Sequence, residues 1–368
     1  MNLSVCIIAK NEEKNMERCL KALMPYGFET IVVDTGSTDR TKEIAFRYAT
    51  AVHDFTWCDD FSAAKNYAVS KATNDYVMIV DADEFLEPLE QSQLEVLYQM
   101  IEEQPEKVGR IYRKNIFVRA GELNENDEWL NRIFAKDKFC YEGSIHEQVV
   151  AKDGGTYEMY RTGLSFLHTG YDLPEEQRKE KAERNIRLLE KELDHLKKQQ
   201  ELRGTQTEEE FVSKISYVLY QLGKSYYMEK DYEKACIYFS QGLSYDLEPK
   251  LEYVIDMVET YGYALLNSGR ASEAMLFENI YEEFGKTADF QFLMGLIYMN
   301  NERFEEAVQE FLKATAHTEC RSKGVNSYLA FYNIGVIYEC LGEIKPARRA
   351  YEKCKDYAPA QERLRIIK

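Results

Sequence analysis

The spacing of hydrophobic and polar residues changes near residue 172 and divides the chain in two. Before that point, apolar runs alternate with amphipathic stretches, and the runs at residues 3–8, 29–33 and 76–80 have the length of strands. Runs that are apolar at successive positions are typical of strands buried on both faces. The alternation of strand and helix therefore predicts an α/β domain with a mostly parallel sheet over residues 1–172. Ligands of such domains bind at the carboxyl ends of the strands.

A charged helix is predicted over residues 173–204. Its apolar residues are spaced alternately by four and three positions and form one stripe, made of Ala182, Ile186, Leu189, Leu193 and Leu196. One stripe of this length is typical of a helix that packs on a neighbour, whereas an intermolecular coiled coil needs a longer heptad run. We therefore expect this segment to be a connecting helix.

An internal repeat occupies residues 211–368. Four segments share a glycine, a large apolar residue three positions later and an alanine twelve positions after the glycine; their glycines are Gly223, Gly262, Gly295 and Gly335. Three segments add an aromatic residue four positions beyond the alanine, where the second has Glu278. The pattern resembles the tetratricopeptide repeat, in which two antiparallel helices approach at small residues and aromatic side chains fill the gap. We expect an all-α solenoid of about four repeats.

The charge of the chain limits the partners that it is expected to bind. It has 64 Asp and Glu residues against 47 Lys and Arg, a formal net charge of −17. This charge repels nucleic acids and anionic lipid, so we expect neither as a partner. No apolar run has the roughly eighteen residues that a membrane span needs, and the first residues do not resemble a signal peptide. The 8 cysteines are scattered without Cys-x-x-Cys pairs, which favours a reducing, cytoplasmic location.

Candidate chemistry is concentrated at the strand ends of the first half. Asp81, Ala82 and Asp83 directly follow the apolar run at residues 76–80. Two carboxylates with one residue between them, at the end of a buried strand, can hold a hard divalent cation such as Mg²⁺ or Mn²⁺. Such a cation would offset the negative charge on a departing diphosphate. The same tripeptide alone is also compatible with an ordinary polar loop.

Asp34 ends the second predicted strand and precedes a turn. Gly36 permits a tight turn, and the polar residues after it can cap the next helix. Capping does not require Asp34, whose carboxylate could accept hydrogen bonds from a uracil imide or from ribose hydroxyls. Farther along the chain, Lys65 is a candidate for neutralising a phosphate or contacting the base.

Four motifs occur in an order and spacing that resemble one enzyme family. They are Asn11-Glu12, Asp34-Thr35-Gly36-Ser37, Phe61-Ser62-Ala63-Ala64-Lys65-Asn66 and Asp81-Ala82-Asp83-Glu84. Together they resemble the nucleotide-sugar half of a GT-A glycosyltransferase of family 2, whose fold is Rossmann-like, and the resemblance covers roughly residues 1–172. It implies a UDP-sugar as donor and Mn²⁺ or Mg²⁺ as cofactor. Most relatives have arginine where this chain has Lys65, and lysine keeps the charge but loses the bidentate fork.

The resemblance also implies roles for individual residues. The nucleotide-sugar would be bound by residues that follow the strands, namely Ala9, Glu12, Asp34, Lys65, Asp81 and Ala82. Within this set Asp34 would contact the base, and Asp81 the ribose or the metal. Asp83 would bind the metal. We also expect His168 to be a metal or phosphate ligand, since neutral imidazole binds Mn²⁺.

The acceptor side is expected between Trp129 and Tyr171. An inverting transfer needs a carboxylate near the acceptor to take its proton, and we predict Glu147 as this base, with His146 orienting it or the acceptor. Trp129, Arg132 and Tyr171 are predicted to contact the acceptor. For Trp129, a core position is the alternative to a stacking platform.

A family 2 domain followed by tetratricopeptide repeats resembles a group of bacterial proteins that includes the sublancin-type peptide S-glycosyltransferases. The resemblance implies transfer of a hexose or N-acetylhexosamine to a cysteine, serine or threonine side chain of a peptide or protein. The repeats would bind the acceptor, pair two subunits into a homodimer, or do both. This implication rests on analogy between proteins of similar architecture.

Two alternatives stay open. In the first, the acceptor is a surface glycan or is lipid-linked, although such enzymes usually carry a membrane span or a basic amphipathic anchor, and neither is evident in the sequence. In the second, the first domain is an inactive scaffold and the repeats are the working part. That alternative predicts a degraded metal motif, whereas Asp81, Asp83 and Glu84 are intact.

Overall fold

The N-terminal half of the chain folds around a mixed β-sheet. The computed structural model describes residues 3–119, 122–168, 175–203 and 209–367. Within these ranges the sheet has eight strands in the order β3-β2-β1-β4-β7-β6-β10-β5. Their bounds are β1 Leu3–Ala9, β2 Glu29–Asp34, β3 Ala51–Asp54, β4 Tyr76–Ile79, β5 Glu84–Leu86, β6 Lys107–Arg119, β7 Glu122–Ala135 and β10 Glu158–His168. Strands β8 Phe139–Glu142 and β9 Gln148–Ala151 form a separate antiparallel pair.

The first four strands form the parallel part of the sheet that the sequence predicts. Strand β1 pairs in parallel with β2 and with β4, and β2 with β3. Alternate residues of β1 enter two core clusters, Val5 and Ile7 one and Cys6 the other, because both faces of the strand are covered. The covering helices are α1 Met16–Leu23, α2 Thr41–Tyr48, α3 Phe61–Lys71 and α4 Gln91–Glu103. This confirms an α/β domain with continuous apolar strands.

Beyond β4 the sheet is mixed. Strand β7 is antiparallel to β4 and to β6, and β10 is parallel to β6. Because β7 is antiparallel to both of its neighbours, β6 runs in the same direction as β4. Strand β10 is parallel to β6 and therefore also runs in the direction of β1, β2 and β4. The carboxyl ends of these four strands therefore lie at one edge of the sheet. That edge carries Ala9, Asp34, Asp81 and His168.

The chain divides into two compact units, Met1–Leu188 and Leu189–Lys368. The division falls inside α5, Glu175–Arg203, the segment that the sequence predicts to be a connecting helix. The second unit is helical where it is described. Its helices are α6 Glu209–Met228, α7 Tyr232–Gly242, α8 Glu252–Asn267, α9 Ala271–Ala274, α10 Tyr281–Phe284, α11 Ala288–Asn300, α12 Phe304–Ala314, α13 Tyr328–Cys340, α14 Ile344–Glu352 and α15 Ala358–Ile366. Of the helices described, none is both long and apolar enough to cross a bilayer.

Glycine and aromatic residues pack against each other inside the repeats, as the sequence predicts. A Cβ atom added at Gly223 would lie 2.6 Å from Phe239 Cδ1, and one added at Gly295 would lie 2.6 Å from Phe311 Cε1. Both separations are shorter than carbon atoms tolerate, so the paired helices reach this spacing only because each glycine lacks a side chain. Gly335 meets Tyr351 in the same way.

In the second repeat a different aromatic residue packs beside the glycine. Glu278 stands where the other repeats have an aromatic residue, and its carboxylate accepts hydrogen bonds from Tyr298 and Arg303 instead. Phe277, one residue earlier, is buried and lies near the position that a Cβ at Gly262 would take. Residues Met275–Ile280 form a 3-10 helix, which has fewer residues per turn than an α-helix and therefore turns each side chain to a different direction. This local change of helix type accompanies the displacement of the aromatic residue by one position.

Candidate active site

Asp34 is the last residue of strand β2, and among the described residues only one of its two carboxylate oxygens accepts hydrogen bonds. Its Oδ2 accepts hydrogen bonds from the backbone N–H groups of Gly36 and Ser37, each 3.1 Å away. Gly36 has φ of 103°, a left-handed conformation that suits glycine. The side chain is 5% exposed, and its Oδ1 is buried without a hydrogen-bond partner within the described structure. A buried, unpaired acceptor is costly, so a donor group that reached Oδ1 would be bound favourably.

Ala9 and Glu12 lie at the same edge of the sheet. Ala9 stands opposite Asp34 in the β1–β2 register, and its carbonyl accepts a hydrogen bond from Thr35 N–H at 2.9 Å. The backbone N–H of Glu12 donates to Thr41 Oγ1 at 2.6 Å, which ties the end of β1 to the start of α2. The structure therefore brings together three of the residues predicted to surround the nucleotide.

Asp81 is surrounded by cationic side chains. Arg132 Nη2 lies 2.7 Å from its Oδ2, and Lys65 Nζ lies 3.6 Å from its Oδ1. Although burial opposes ionisation, Arg132 and Lys65 hold the pKa of Asp81 well below its ordinary value. Arg132, predicted from sequence to contact the acceptor, is buried in the structure beside this strand end.

Glu84 fixes the turn that carries the two aspartates. It is fully buried, and its Oε2 accepts the backbone N–H of Asp81 at 3.0 Å. Its Oε1 accepts from Arg113 Nη1 at 2.8 Å and from Arg132 Nη2 at 3.2 Å. A buried carboxylate needs such partners, so the two arginines stabilise Glu84 in its buried position, and Glu84 in turn holds the turn.

Asp83 and His168 meet across the sheet edge. His168 Nε2 lies 3.2 Å from Asp83 Oδ2, and its Nδ1 lies 2.7 Å from Asn115 Oδ1. The amide group of Asn115 donates its own N–H to Glu128 Oε1 at 2.7 Å, which leaves the amide oxygen to face the ring. Asn115 and the ring are both buried, so this chain of contacts fixes the orientation of His168.

Lys65 connects the strand end with a loop from the far part of the domain. Its ammonium group, in a side chain that is 5% exposed, forms an ion pair with Glu147 as well as with Asp81. Next to it, Asn66 Nδ2 donates to Tyr141 O at 2.8 Å and Asn66 Oδ1 accepts from Tyr141 N–H at 2.9 Å. Helix α3 therefore holds the segment that bears Glu147, close to Asp81.

The remaining predicted residues fall in different surroundings. His146, beside Glu147, has φ of 52°, so its backbone is left-handed. Trp129 is half-buried on β7, with its ring 5.1 Å from that of Tyr112 and 4.7 Å from the Arg161 guanidinium. Ala82 is buried between the two aspartates. Tyr171 lies outside the described residues.

Arg113, Asn115 and Glu128 belong to the site but are not predicted from the sequence. Arg113 and Asn115 are two positions apart on β6, so they project from the same face of the strand. This spacing is the signal in the sequence that could have identified Arg113 and Asn115. It does not indicate which other strands of the sheet their side chains contact. Across the described residues, no three His, Cys, Asp or Glu side chains converge closely enough to hold a metal by themselves.

Known family models match segments in both halves of the chain. Residues 4–160 match Glycosyl transferase family 2. Residues 218–251, 288–316 and 328–361 match the Tetratricopeptide repeat. These segments coincide with the mixed-sheet domain and with three of the four predicted repeats.

Individual relatives match only parts of the chain. The SPbeta prophage-derived glycosyltransferase SunS of Bacillus subtilis is 27% identical over 187 residues, 50% of this chain and 43% of the relative. A TPR repeat-containing protein of Synechococcus elongatus is 43% identical over 84 residues, 23% of this chain and 21% of the relative. The chain therefore spans less than half the length of either curated relative.

Among solved structures, TarS 1-349 of S. aureus in complex with UDP-GlcNAc is 14% identical and has a TM-score of 0.37, with 96% of this chain and 91% of that chain covered. The order of the strands and the family matches lead to one assignment. Residues 4–160 match glycosyl transferase family 2 and fold as a Rossmann-like, mixed-sheet domain of the GT-A type, and segments that match the tetratricopeptide repeat follow them in the chain.

Proposed function

We propose that this chain is an inverting glycosyltransferase that moves a hexose or N-acetylhexosamine from a UDP-sugar to a side chain of a peptide or protein. The proposal rests on Asp34 Oδ1, which is buried and has no hydrogen-bond partner among the described residues. This oxygen lies at the same sheet edge as the Asp83–His168 pair. Asp34 and Asp83 follow strands separated by β1 alone, a distance of about 10 Å at ordinary strand spacing. A nucleoside diphosphate is long enough to reach both.

The nucleobase is assigned to Asp34. Uracil has one imide N–H on its pairing edge, and a carboxylate oxygen accepts from it strongly because the acceptor is charged. Oδ2 is held by Gly36 and Ser37, so Oδ1 keeps a fixed direction. This arrangement supports a uridine rather than a cytidine nucleotide, because cytosine presents an acceptor at the same ring position.

The residues at the Asp83–His168 pair fit a divalent cation. In the tautomer that donates Nδ1–H to Asn115 Oδ1, the lone pair of His168 Nε2 points toward Asp83 Oδ2. Two electron-rich atoms facing each other at 3.2 Å are stabilised by a shared positive charge. Asp83 and His168 would therefore hold Mn²⁺ or Mg²⁺, with the donor's diphosphate among the other ligands. When bound, the cation would serve as a Lewis acid on the departing diphosphate.

Glu147 is assigned as the base that receives the acceptor's proton. Lys65 holds it beside Asp81, so the carboxylate lies next to the strand end where the donor sugar would sit. A serine or threonine hydroxyl has to lose its proton as it attacks the anomeric carbon. A cysteine thiol ionises more easily and depends less on a base.

The acceptor is assigned as a peptide or protein because the domain is followed by repeats whose stacked helices commonly hold peptides. SunS, a glycosyltransferase by name, matches half of this chain. The test is mass spectrometry of cysteine-, serine- and threonine-containing peptides after incubation with Mn²⁺ and each of several UDP-sugars. Addition of a hexose or N-acetylhexosamine to one peptide supports the proposal. Failure of every UDP-sugar to bind the chain would overturn it.

Asp34→Asn is expected to weaken UDP binding by about 10- to 100-fold, because the substitution removes a charged acceptor from the uracil imide. An asparagine amide can instead donate to the ring nitrogen of cytosine, so the preference for UDP over CDP should fall or reverse. Calorimetry with UDP and CDP in the presence of Mn²⁺ measures both effects.

The matched control is Asp54→Asn. Asp54 ends the neighbouring strand β3 in register with Asp34, but its carboxylate is exposed and pairs with Lys42. It should leave both affinities unchanged. An unaltered ratio of UDP to CDP affinity in Asp34→Asn would contradict the assignment of the base.

Glu147→Gln is expected to slow transfer to a serine or threonine peptide by about 10²- to 10⁴-fold, the usual contribution of a general base. The loss should be smaller with a cysteine peptide, and the affinity for UDP should stay near that of the unaltered chain. Initial rates of glycopeptide formation, paired with UDP titrations, measure these quantities.

Glu142→Gln serves as control, since Glu142 is exposed at the end of β8 on the same segment. If Glu147→Gln weakened UDP binding as much as it slowed transfer, Glu147 would act on the donor through Lys65 and not as the base.

A further inference from the structure

Three helices of the second unit bring acidic residues together. On α8, Asp256, Glu259 and Tyr263 are spaced by three and four positions and therefore share one face of the helix. Tyr220 of α6 donates a hydrogen bond to Asp256 Oδ2 at 2.6 Å. Asp289, in the first turn of α11, is buried. Helices α6, α8 and α11 are the first helices of three successive repeats.

Three carboxylates in this cluster face two cationic side chains. Lys224 Nζ lies 2.9 Å from Asp256 Oδ2, and Arg321 forms an ion pair with Glu259 Oε2. Asp289 accepts hydrogen bonds at 2.8 Å from the backbone N–H groups of Arg321 and Ser322, which adds no full positive charge. The cluster therefore keeps an excess of one negative charge.

Among the described residues of this cluster, Glu259 carries the carboxylate oxygen that lacks a hydrogen-bond partner. The residue is 7% exposed, and this oxygen, Oε1, is buried. Burial raises the pKa of Glu259 to about 7, with Arg321 opposing the rise and Asp289 adding to it. A carboxylate in this state is stabilised by one more cationic donor.

The surroundings suit an organic cation. The Tyr253 ring lies 5.9 Å from that of Tyr220 and 5.4 Å from that of Tyr217, so phenol rings line the α6–α8 side of the cluster. Aromatic faces attract ammonium and guanidinium groups. Among the described residues no three His, Cys, Asp or Glu side chains are close enough to hold a metal ion together. Arg321, 45% exposed, already places one guanidinium at the mouth of the cluster.

We propose that the pocket formed by Asp256, Glu259 and Asp289 binds one lysine or arginine side chain of an extended peptide. The ammonium or guanidinium donates to Glu259 Oε1 and lies against the tyrosine rings, while Arg321 keeps Oε2. An extended peptide fits because the pocket is built from successive repeats, which present a linear surface. The identification of this peptide with a glycosyl acceptor rests on the proposed function, but binding to the pocket does not.

The test is selection of peptides by the full-length chain without any sugar donor. Random twelve-residue peptides displayed on phage are bound to the immobilised chain, and the sequences recovered are compared between variants. Lysine and arginine should be enriched at a single position of a shared motif. A labelled peptide from this selection should bind about tenfold more weakly when that residue is replaced by norleucine or citrulline.

Glu259→Gln keeps the size of the side chain and should remove the enrichment, while Glu305→Gln, an exposed residue of α12, should preserve it. Circular dichroism establishes that both variants are folded, and the norleucine substitution tests the pocket without altering the protein. Recovery of peptides with no basic preference, or the same preference in Glu259→Gln, would overturn the proposal. Because no donor is present, this result is independent of whether sugar transfer is found.

Discussion

Asp83→Asn is expected to lower the rate of UDP release from a UDP-sugar, and of transfer to a peptide, by about 1,000-fold. Asparagine keeps the size of the side chain but removes the charge that would bind the cation together with His168. Loss of a cation at a departing diphosphate removes several kcal/mol of transition-state stabilisation, and about 4 kcal/mol corresponds to this change in rate. Initial rates in saturating Mn²⁺ measure the effect.

Asp137→Asn provides the comparison, because Asp137 is exposed on the turn between β7 and β8. It should have the rate of the unaltered chain. Chelation with EDTA should reduce the activity of the unaltered chain to the level of Asp83→Asn. Full donor turnover in Asp83→Asn would remove Asp83 from the metal site.

Phe311→Ala is expected to destabilise the second unit by about 3–5 kcal/mol, the usual cost of removing a fully buried aromatic ring. Phe311 is 0% exposed and fills the space beside Gly295 in the third repeat. Urea denaturation followed by circular dichroism measures the change as a shift in the midpoint. Leu312→Ala, at the next position and 46% exposed, should change the stability by less than about 0.5 kcal/mol.

A double-mutant cycle makes the packing argument specific. Gly295→Ala should destabilise the unaltered chain by about 1–3 kcal/mol, because its new methyl group overlaps the Phe311 ring. In the Phe311→Ala background the same substitution should cost much less. Equal costs in both backgrounds would show that Gly295 is required for another reason.

The sequence is sufficient to predict which edge of the sheet carries Ala9, Asp34 and Asp81. Ala9, Asp34 and Asp81 each follow an apolar run, and the rule that parallel strands end at one edge places them together without knowledge of their contacts. The glycine and aromatic positions of the repeats are predictable for a similar reason, since a fixed spacing on a helix determines which side chains meet.

Contacts between distant strands are not predictable in this way. Nothing near Asn115 indicates that it lies beside His168, because the pairing of β6 with β10 depends on the fold of the whole sheet. Lys65 shows a second limit: its charge suggests a phosphate ligand, but its partners in the structure are the carboxylates of Asp81 and Glu147. An ionic side chain such as Lys65 pairs with the charged groups that are buried beside it in the fold, and the sequence does not show which groups these are.

The contacts that complete the site join residues far apart in the chain. Lys65 and Glu147 are 82 positions apart, and Asp83 and His168 are 85 positions apart. Closing loops of this size costs entropy that is offset only when the later strands pair, so we expect these contacts to form late in folding. During synthesis, Asp34 and Asp83 leave the ribosome long before β10 does. A chain that stops before β10 carries all four family motifs and still lacks the Asp83–His168 pair, so the motifs by themselves do not assemble the candidate site.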